Sequence, residues 1–400
     1  MSLLAGITVL DLSLQLPGPF CTLMMADHGA DVVKVDEPEP RVRNPFAGEE
    51  PGLSPSDRYL NRGKRSLTLN LKTDEGKEIF RALADRADVV VEGFRPGVAE
   101  RLGVDYATLS ARNPRLVYCS ISGYGQTGPM RNVAGHDINY VSYAGILGMS
   151  GRAGGPPAIP PVQIGDLFGG AMMALSGILM ALVERHATGK GRWVDVSMTD
   201  GSMAMLAFHA VAGLAGAPNP ERGNAILTGM FPCYETYRCA DGGYVSVGSL
   251  EPWFWNGLVS ALGRDDLAGL QYAAGDEGAR VKGELAGIFA TKPRREWERF
   301  FEGKDVCISP VLDLDEALFH PNAAARGMVV DVASPAGGTD RQPGRPLKFS
   351  GPGGGWTASP PPRRAPRLGE HDDGILSGIG YGRERIEDLR RTGVIRKSPA

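Results

Sequence analysis

His136 and Asp166 are the side chains whose types and surroundings could do acid–base chemistry. His136 lies in Gly135-His136-Asp137-Ile138-Asn139-Tyr140, Asp166 closes Ile164-Gly165-Asp166, and a mostly small, apolar stretch separates them. A histidine, one of six, and a lone carboxylate in uncharged surroundings stand where desolvation can move a pKa toward the range a proton transfer needs. Each also has a plain structural reading. Asp is a favoured N-cap, so Asp166 can cap the apolar segment 167–183, and His136 can be a hydrogen-bonded core histidine. A second cluster, basic and dense between Arg58 and Lys72, asks for an anionic partner.

Four hundred residues exceed the size at which one core stops growing, so two domains are expected. The formal charge of −3, without a Lys/Arg run, argues against a nucleic-acid partner. Five cysteines, odd in number and without metal-ligand spacing, point to reduced thiols, a cytoplasmic setting and no zinc site. Met1-Ser2-Leu3-Leu4-Ala5-Gly6 leads straight into an alternating strand pattern, unlike a signal peptide with its basic start and long apolar stretch. Segment 167–183 is uncharged, yet it is rich in Gly and Ala and falls short of the roughly 20 residues of a membrane span. A tightly packed, buried helix is expected there, and no membrane partner.

These residues need a scaffold. Alternating apolar residues at 7–12 and 31–36, with Pro17-Gly18-Pro19 and a helical pattern over 20–28 between them, make a βαβ unit. Its first turn lacks Gly-x-Gly-x-x-Gly, which argues against a nicotinamide dinucleotide. An irregular stretch, 37–60, precedes a strand at 67–72, a helix at 74–84 capped by Thr73, and a strand at 87–92 that ends in Gly93-Phe94-Arg95-Pro96-Gly97. A short helix at 102–109, a strand at 116–122, the buried helix, a strand at 192–197 and a helix at 200–214 complete an α/β domain over 1–215. A Gly/Ala/Pro/Asn-rich linker, 213–223, leads to a small α+β domain over 225–320. That domain has a hairpin at 232–247 around Ala240-Asp241-Gly242-Gly243 and helices at 253–262, 281–289 and 294–301. The last part, 330–400, crosses through a Pro/Gly-rich segment, 334–366, to a helix at 383–391 stopped by Gly393.

Dispersed motifs along this scaffold resemble family III CoA transferases, the superfamily of formyl-CoA transferase, the carnitine-CoA transferases and α-methylacyl-CoA racemase. The resemblance rests on Gly18-Pro19, Gly29-Ala30-Asp31-Val32-Val33-Lys34-Val35, Leu69-Asn70-Leu71-Lys72, Phe94-Arg95-Pro96-Gly97, Gly125-Gln126-Thr127-Gly128-Pro129, Gly165-Asp166, and Thr188-Gly189-Lys190-Gly191 with Asp195 and Asp200. Gly135-His136-Asp137-Ile138-Asn139-Tyr140 and Val247-Gly248-Ser249-Leu250-Glu251-Pro252 are similar to the racemase branch.

The resemblance implies a Rossmann-like large domain whose parallel sheet is formed by both chain ends, a smaller α+β domain, and a homodimer of interlocked rings. It also implies His136, Asp166 and Glu251 as catalytic residues of a racemase acting on 2-methylacyl-CoA thioesters. His136 and Asp166 would flank the α-carbon as acid and base, Glu251 would orient His136, and the Asp137 N–H would face the enolate oxygen. Arg62, Lys72, Arg95 and Arg101 are the candidates for the CoA phosphates. Gly93, Phe94, Gly135, Ile138, Asn139 and Tyr140 would line the adenine and pantetheine path, and Met230, Phe231 and Trp253 either shape an acyl pocket or pack a core. Related racemases often carry an Arg where this chain has Glu37-Pro38, and Arg41 or Arg43 would have to compensate. CoA enters as part of the substrate, with no further cofactor and no metal. The alternative is a CoA transferase in which Asp166 is the nucleophile and carries an aspartyl-CoA intermediate; a CoA-binding module without catalysis is a third reading.

Overall fold

The computed structural model describes residues 2–39, 53–351, 353–354 and 361–397. The chain divides into two units, one of residues 1–144, 162–206 and 321–400, the other of 145–161 and 207–320. The division thus falls after Leu206, ahead of the expected linker, and the stretch 145–161 goes with the second unit.

In the first unit, β1 (Thr8–Asp11), β2 (Asp31–Asp36), β3 (Arg65–Thr68), β4 (Val89–Glu92), β5 (Val117–Ser122) and β6 (Trp193–Ser197) form one parallel sheet in the order β3-β2-β1-β4-β5-β6. Val89-Val90-Val91 is apolar at every position because strands of a parallel sheet are covered on both faces. Alternation sorts the side chains: Leu10, Val33, Leu67 and Val90 face one core with the Asp74–Ala84 helix, while Val9, Val32, Val89 and Val91 face another with the Pro17–Asp27 helix. The strand order reverses between β1 and β4, and such a switch point is where open α/β sheets bind ligands, outside the strand C-termini. There the two loops meet: a Cβ on Gly93, just past β4, would lie 3.7 Å from Ser13 Cβ and 3.8 Å from the Leu14 nitrogen, just past β1.

Among the described residues every strand of this sheet comes from residues 8–197, which corrects the expectation that both chain ends supply strands. The C-terminal end contributes helices instead, Asp372–Gly378 and Arg383–Thr392, whose Ile375, Leu376, Ile386 and Leu389 complete the first core. Polar groups at and just past the end of β3 explain the docking. The Asp372 carboxylate accepts the Thr68 N–H (2.8 Å) and hydroxyl (2.6 Å), and the Asn70 N–H donates to the Val394 carbonyl (2.8 Å). Gly393, at φ 75°, ends the last helix in the left-handed conformation that glycine permits. An antiparallel hairpin, β10 (Val329–Ala333) with β11 (Thr339–Pro343), leads into the Pro/Gly-rich crossing.

The apolar segment differs from expectation as well. It is π-helical over Gly165–Met172 and α-helical over Met173–Thr188, and only one side is buried. Gly169, Gly170, Ala171, Ala174, Ile178 and Ala181 pack inward, but Phe168, Met180 and Val183 are exposed, Val183 at 73%. Small residues explain the inner face. A Cβ on Gly169 would stand 2.3 Å from the Met198 carbonyl oxygen, so this helix meets the Met198–Met205 helix backbone to backbone. The expected helix at 200–214 is two, Met198–Met205 and Ala207–Leu214, and the expected one at 102–109 is also two, Val98–Leu102 and Tyr106–Arg112.

The second unit carries a three-stranded antiparallel sheet, β7 (Tyr234–Arg238), β8 (Tyr244–Gly248) and β9 (Ile308–Pro310). The Pro252–Ala261, Gly275–Phe289 and Arg294–Phe301 helices bury Trp255, Leu258, Phe289 and Trp297 in its core. Both buried indoles find acceptors, Trp255 at the Leu267 carbonyl (3.0 Å) and Trp297 at the Phe289 carbonyl (2.8 Å).

At the C-terminal end of β1, Asp11 and Lys64 form a fully buried ion pair at 3.0 Å. Lys64 Nζ also donates to Thr22 Oγ1 (2.8 Å) and the Pro19 carbonyl (3.1 Å), while Asp11 accepts the Ser13 N–H (2.9 Å). Burial alone would raise the Asp11 carboxyl, but Lys64, with Lys34 and the Ser13 and Thr22 hydroxyls, holds it down to about 2. Removing one partner of such a pair strands the other charge. K64M is therefore expected to cost about 3–5 kcal/mol of stability, read from the urea midpoint; a loss below about 1 kcal/mol would contradict this account of the β1 loop.

Candidate active site

The Asp137–Tyr143 helix carries the histidine at its N-cap position, with His136 in extended backbone at φ −126°. Asn139 reaches back so that its Oδ1 accepts the His136 N–H at 3.0 Å, which fixes the entry into the helix. Tyr140 is buried beneath it, its hydroxyl donating to the Gly135 carbonyl and its ring edge-on to Tyr124 at 5.4 Å. Gly135 is needed for this, since a Cβ there would sit 2.8 Å from Tyr140 Cε1. His136 itself is exposed, so it is not a core histidine. Ile138 and Asn139 are exposed beside it.

Asp166 sits in the first turn of the π-helical segment and not at its cap, which is Ile164. The helix-cap reading therefore fails. The Asp166 N–H donates to Asp137 Oδ1 at 3.0 Å, and the close approach depends on Gly165, whose Cβ would lie 3.0 Å from that same oxygen. One hydrogen bond thus joins the segment bearing Asp166 to the residue that follows His136. Burial raises the Asp166 carboxyl, the Asp137 charge adds to it, and together they push the pKa up to about 7. A carboxyl balanced between its two states at neutral pH can give or take a proton with little bias. As a first-turn residue, Asp137 has a backbone N–H without an i−4 acceptor inside its helix.

The residues expected along a CoA path separate into groups. Gly93, Phe94 and Arg95 lie at the β1/β4 switch point, with Arg95 exposed and close enough to Tyr140 for its charge to act on the phenol. Arg101 is exposed on the next helix. Lys72 is exposed and 3.2 Å from Glu37, a surface pair that an incoming phosphate can replace at little cost. Arg62 is committed inside the fold. It is 1% exposed, forks onto Asp27 (2.6 and 3.2 Å), donates to the Pro343 carbonyl (2.7 Å) and lies over the Tyr59 ring. Turning it toward a ligand would take a partner from the buried Asp27, whereas Lys72, Arg95 and Arg101 are exposed. Arg41 and Arg43 lie outside the described residues.

Glu251 is in the second unit, exposed at the N-cap position of the Pro252–Ala261 helix, and its side chain makes no capping bond. Met230 and Phe231 are half-buried, Phe231 edge-on to Tyr272, while Trp253 is 65% exposed. Among the described residues no group of three or more His, Cys, Asp or Glu side chains is placed to hold a metal. Sequence reasoning missed Glu92, a buried carboxyl closing β4, and the side-chain role of Asp137. The signal for Glu92 was present, a single charge ending a run of three valines.

The pattern of CoA-transferase family III matches residues 4–372. The chain is 38% identical to human alpha-methylacyl-CoA racemase over 394 residues, covering 98% of this chain and 97% of the relative. It is 36% identical to succinyl-CoA:mesaconate CoA-transferase of Haloarcula hispanica over 405 residues, covering 97% and 99%. The solved structure of a CAIB/BAIF family protein from Brucella suis superposes with a TM-score of 0.79 at 31% identity, covering 94% of this chain and 99% of that one.

Removing the neighbouring charge while keeping the acceptor oxygen isolates the cause of the Asp166 shift. In D137N the Asp166 titration, followed by carbon-13 NMR and assigned with D166N, is expected to move to lower pH than in the unsubstituted protein. An unchanged or higher midpoint would contradict the part assigned to Asp137.

Proposed function

This chain belongs to CoA-transferase family III, and from that premise we propose that it is a racemase interconverting (2R)- and (2S)-2-methylacyl-CoA thioesters. The observation that carries the reading is Asp166, held near neutrality by burial and tied through Asp137 to the turn that presents His136. Inverting the carbon beside a thioester carbonyl needs one group to take the α-proton and another to return a proton on the opposite face. The electron pair released from the C–H bond moves to the carbonyl oxygen as an enolate and comes back to carbon on reprotonation. Asp166 and His136 take these roles and exchange them with the substrate's hand. The Asp137 N–H faces the enolate oxygen. Lys72, Arg95 and Arg101 receive the CoA phosphates, and Gly93, Phe94, Gly135, Ile138, Asn139 and Tyr140 line the path between.

The chemistry needs proton transfer alone, so the reading includes no metal and no cofactor beyond the CoA of the substrate. A cytoplasmic setting goes with the five free cysteines, and the thioester substrate goes with acyl-lipid metabolism. The reading also makes the enzyme a homodimer of interlocked rings, which is supported by the apolar side of Phe168, Met180, Val183 and Met203 left exposed on one copy.

A second reading has one observation in its favour, the likeness to a CoA transferase over nearly the whole chain. There Asp166 attacks the donor thioester carbonyl and expels CoA thiolate; the thiolate attacks the mixed anhydride at the aspartyl carbon and releases the donor carboxylate; the acceptor carboxylate attacks the aspartyl-CoA thioester and expels the thiolate again, which attacks the acceptor's acyl carbon to give its CoA ester and return Asp166. A nucleophilic carboxylate works in its ionised form, but so does a carboxylate that takes a proton, and a pKa of about 7 leaves both forms present at neutral pH. What favours the acid–base role is His136, which the transferase chemistry does not need.

The test is wash-out of the α-proton in D₂O, followed by proton NMR, with each enantiomer of a 2-methylacyl-CoA and no acceptor acid. Exchange from both enantiomers, with loss of optical activity and no inhibition by hydroxylamine, is the expected result. No exchange from either, but CoA transfer once a free acid is added and inactivation by hydroxylamine during turnover, would replace the racemase with the transferase.

A further inference from the structure

Beneath the Gly93–Gly97 turn lies a cavity of about 70 Å³ beside the C-terminal end of β4, the middle of β5 and the first residue of β6, lined by Glu92, Tyr118, Ser120 and Trp193, with Arg95 and Gln126. Glu92 is 3% exposed. It accepts the Phe94 N–H on Oε2 at 2.7 Å, and the Ser120 hydroxyl bonds its carboxyl. Ser120 Oγ accepts the Trp193 indole N–H at 3.0 Å, so a chain of hydrogen bonds runs from β6 through β5 to the turn. None of these groups belongs to the proton-transfer set.

We propose that Glu92 is a positioning residue for CoA: its ionised carboxylate sets the turn that presents Phe94 and Arg95, so that thioester affinity, and not turnover, follows its protonation state. The proposal rests on the CoA reading of Phe94 and Arg95. Burial raises the Glu92 carboxyl, the Ser120 and Phe94 bonds oppose it, Glu100 and Asp195 add to it, and the pKa comes to about 7. The other charged or titratable groups lining the cavity are Asp105 and Tyr106 at the start of the Tyr106–Arg112 helix, Tyr118 on β5 and Arg95 of the turn itself, and Cys119 of β5 lies on the strand's opposite face. Phe94 N–H and Ser120 O–H both donate to the carboxyl, so both bonds are strongest when it is ionised. Protonation weakens the grip on the Phe94 N–H, and the turn loosens as pH falls through about 7. If only the ionised form binds well, the apparent affinity scales with the ionised fraction, which for a midpoint of about 7 falls about tenfold between pH 8 and pH 6.

The experiment compares KM and kcat over this range for the unsubstituted enzyme, E92Q and E92L. KM for the thioester is expected to rise by up to about tenfold on acidification in the unsubstituted enzyme. In E92Q, whose amide oxygen accepts the Phe94 N–H at any pH, it should stay flat. In E92L it should be high throughout, with kcat kept. Titration of the CoA phosphates is common to all three and cancels. Parallel KM profiles for the unsubstituted enzyme and E92Q would overturn the proposal, as would a loss in E92L that falls on kcat. Two readouts do not depend on the racemase reading. Calorimetric affinity for CoA itself should show the same pH dependence and the same flattening in E92Q. The Trp193 indole N–H resonance, assigned with W193F, should titrate near pH 7 only when Glu92 is present. If no protein exchanges the α-proton, the racemase reading falls, and these two measurements still decide the role of Glu92: a resonance or CoA affinity indifferent to E92Q would overturn it.

Discussion

The hydrogen bond from the Asp166 N–H to the Asp137 carboxylate holds together the two segments on which the chemistry depends. It has two effects at once. As a contact, it registers the start of the Gly165–Met172 segment against the start of the Asp137–Tyr143 helix, and so brings Asp166 toward the turn bearing His136. As a charge, Asp137 raises the carboxyl it positions. A side chain at residue 165 would crowd the same Asp137 oxygen at 3.0 Å, which makes Gly165 part of this junction. The same logic extends outward. Glycines 169 and 201 let the helix behind Asp166 and its neighbour approach backbone to backbone, which gives the rigidity a shifted carboxyl needs if solvent is to be kept away.

Burial is used twice at the same end of the sheet. Asp166 and Glu92 are both carboxyls moved to about 7, one bonded through its N–H to Asp137 and one under the turn at the switch point. The contrast with Asp11 is instructive. It is more deeply buried than either, yet Lys64 holds it at about 2 and makes it a structural anion. A buried carboxyl is therefore not by itself a proton-transfer group. What decides is whether its nearest charge is of opposite sign, as with Asp11, or of like sign, as with Asp166.

Much of this was legible in the sequence wherever a local rule fixes the answer. Alternation located β1 and β2, Asp241-Gly242-Gly243 located the β7–β8 turn, and Gly393 located the end of the last helix. His136 and Asp166 stood out in the sequence as two ionisable groups in mostly uncharged surroundings, and what the structure adds is the bond from the Asp166 N–H to Asp137. What was not legible depended on partners far along the chain. Arg62 reads as a free cation until Asp27, 35 residues earlier, is seen to occupy it. Segment 167–183 is apolar on both sides, and hydropathy alone does not tell which side is covered. Strands from both chain ends were expected, but the groups at and just past the end of β3 are satisfied by Asp372 and Val394, which need no further strand. The structural alternatives for Asp166 and His136 failed for a simple reason: a cap must stand at the helix start, and a core histidine must be buried.

The central claim, that two different groups move protons on opposite faces of one carbon, is tested most directly by asking each enantiomer separately. H136A and D166A should each abolish racemisation, yet each should keep α-proton exchange with D₂O for one enantiomer only, the one whose proton is taken by the base that remains. The lost exchange should fall by about 10²- to 10⁴-fold. Complementary losses in the two variants are the predicted result. If both variants lose exchange from both enantiomers alike, or if H136A leaves both unaffected, the two-base account is wrong.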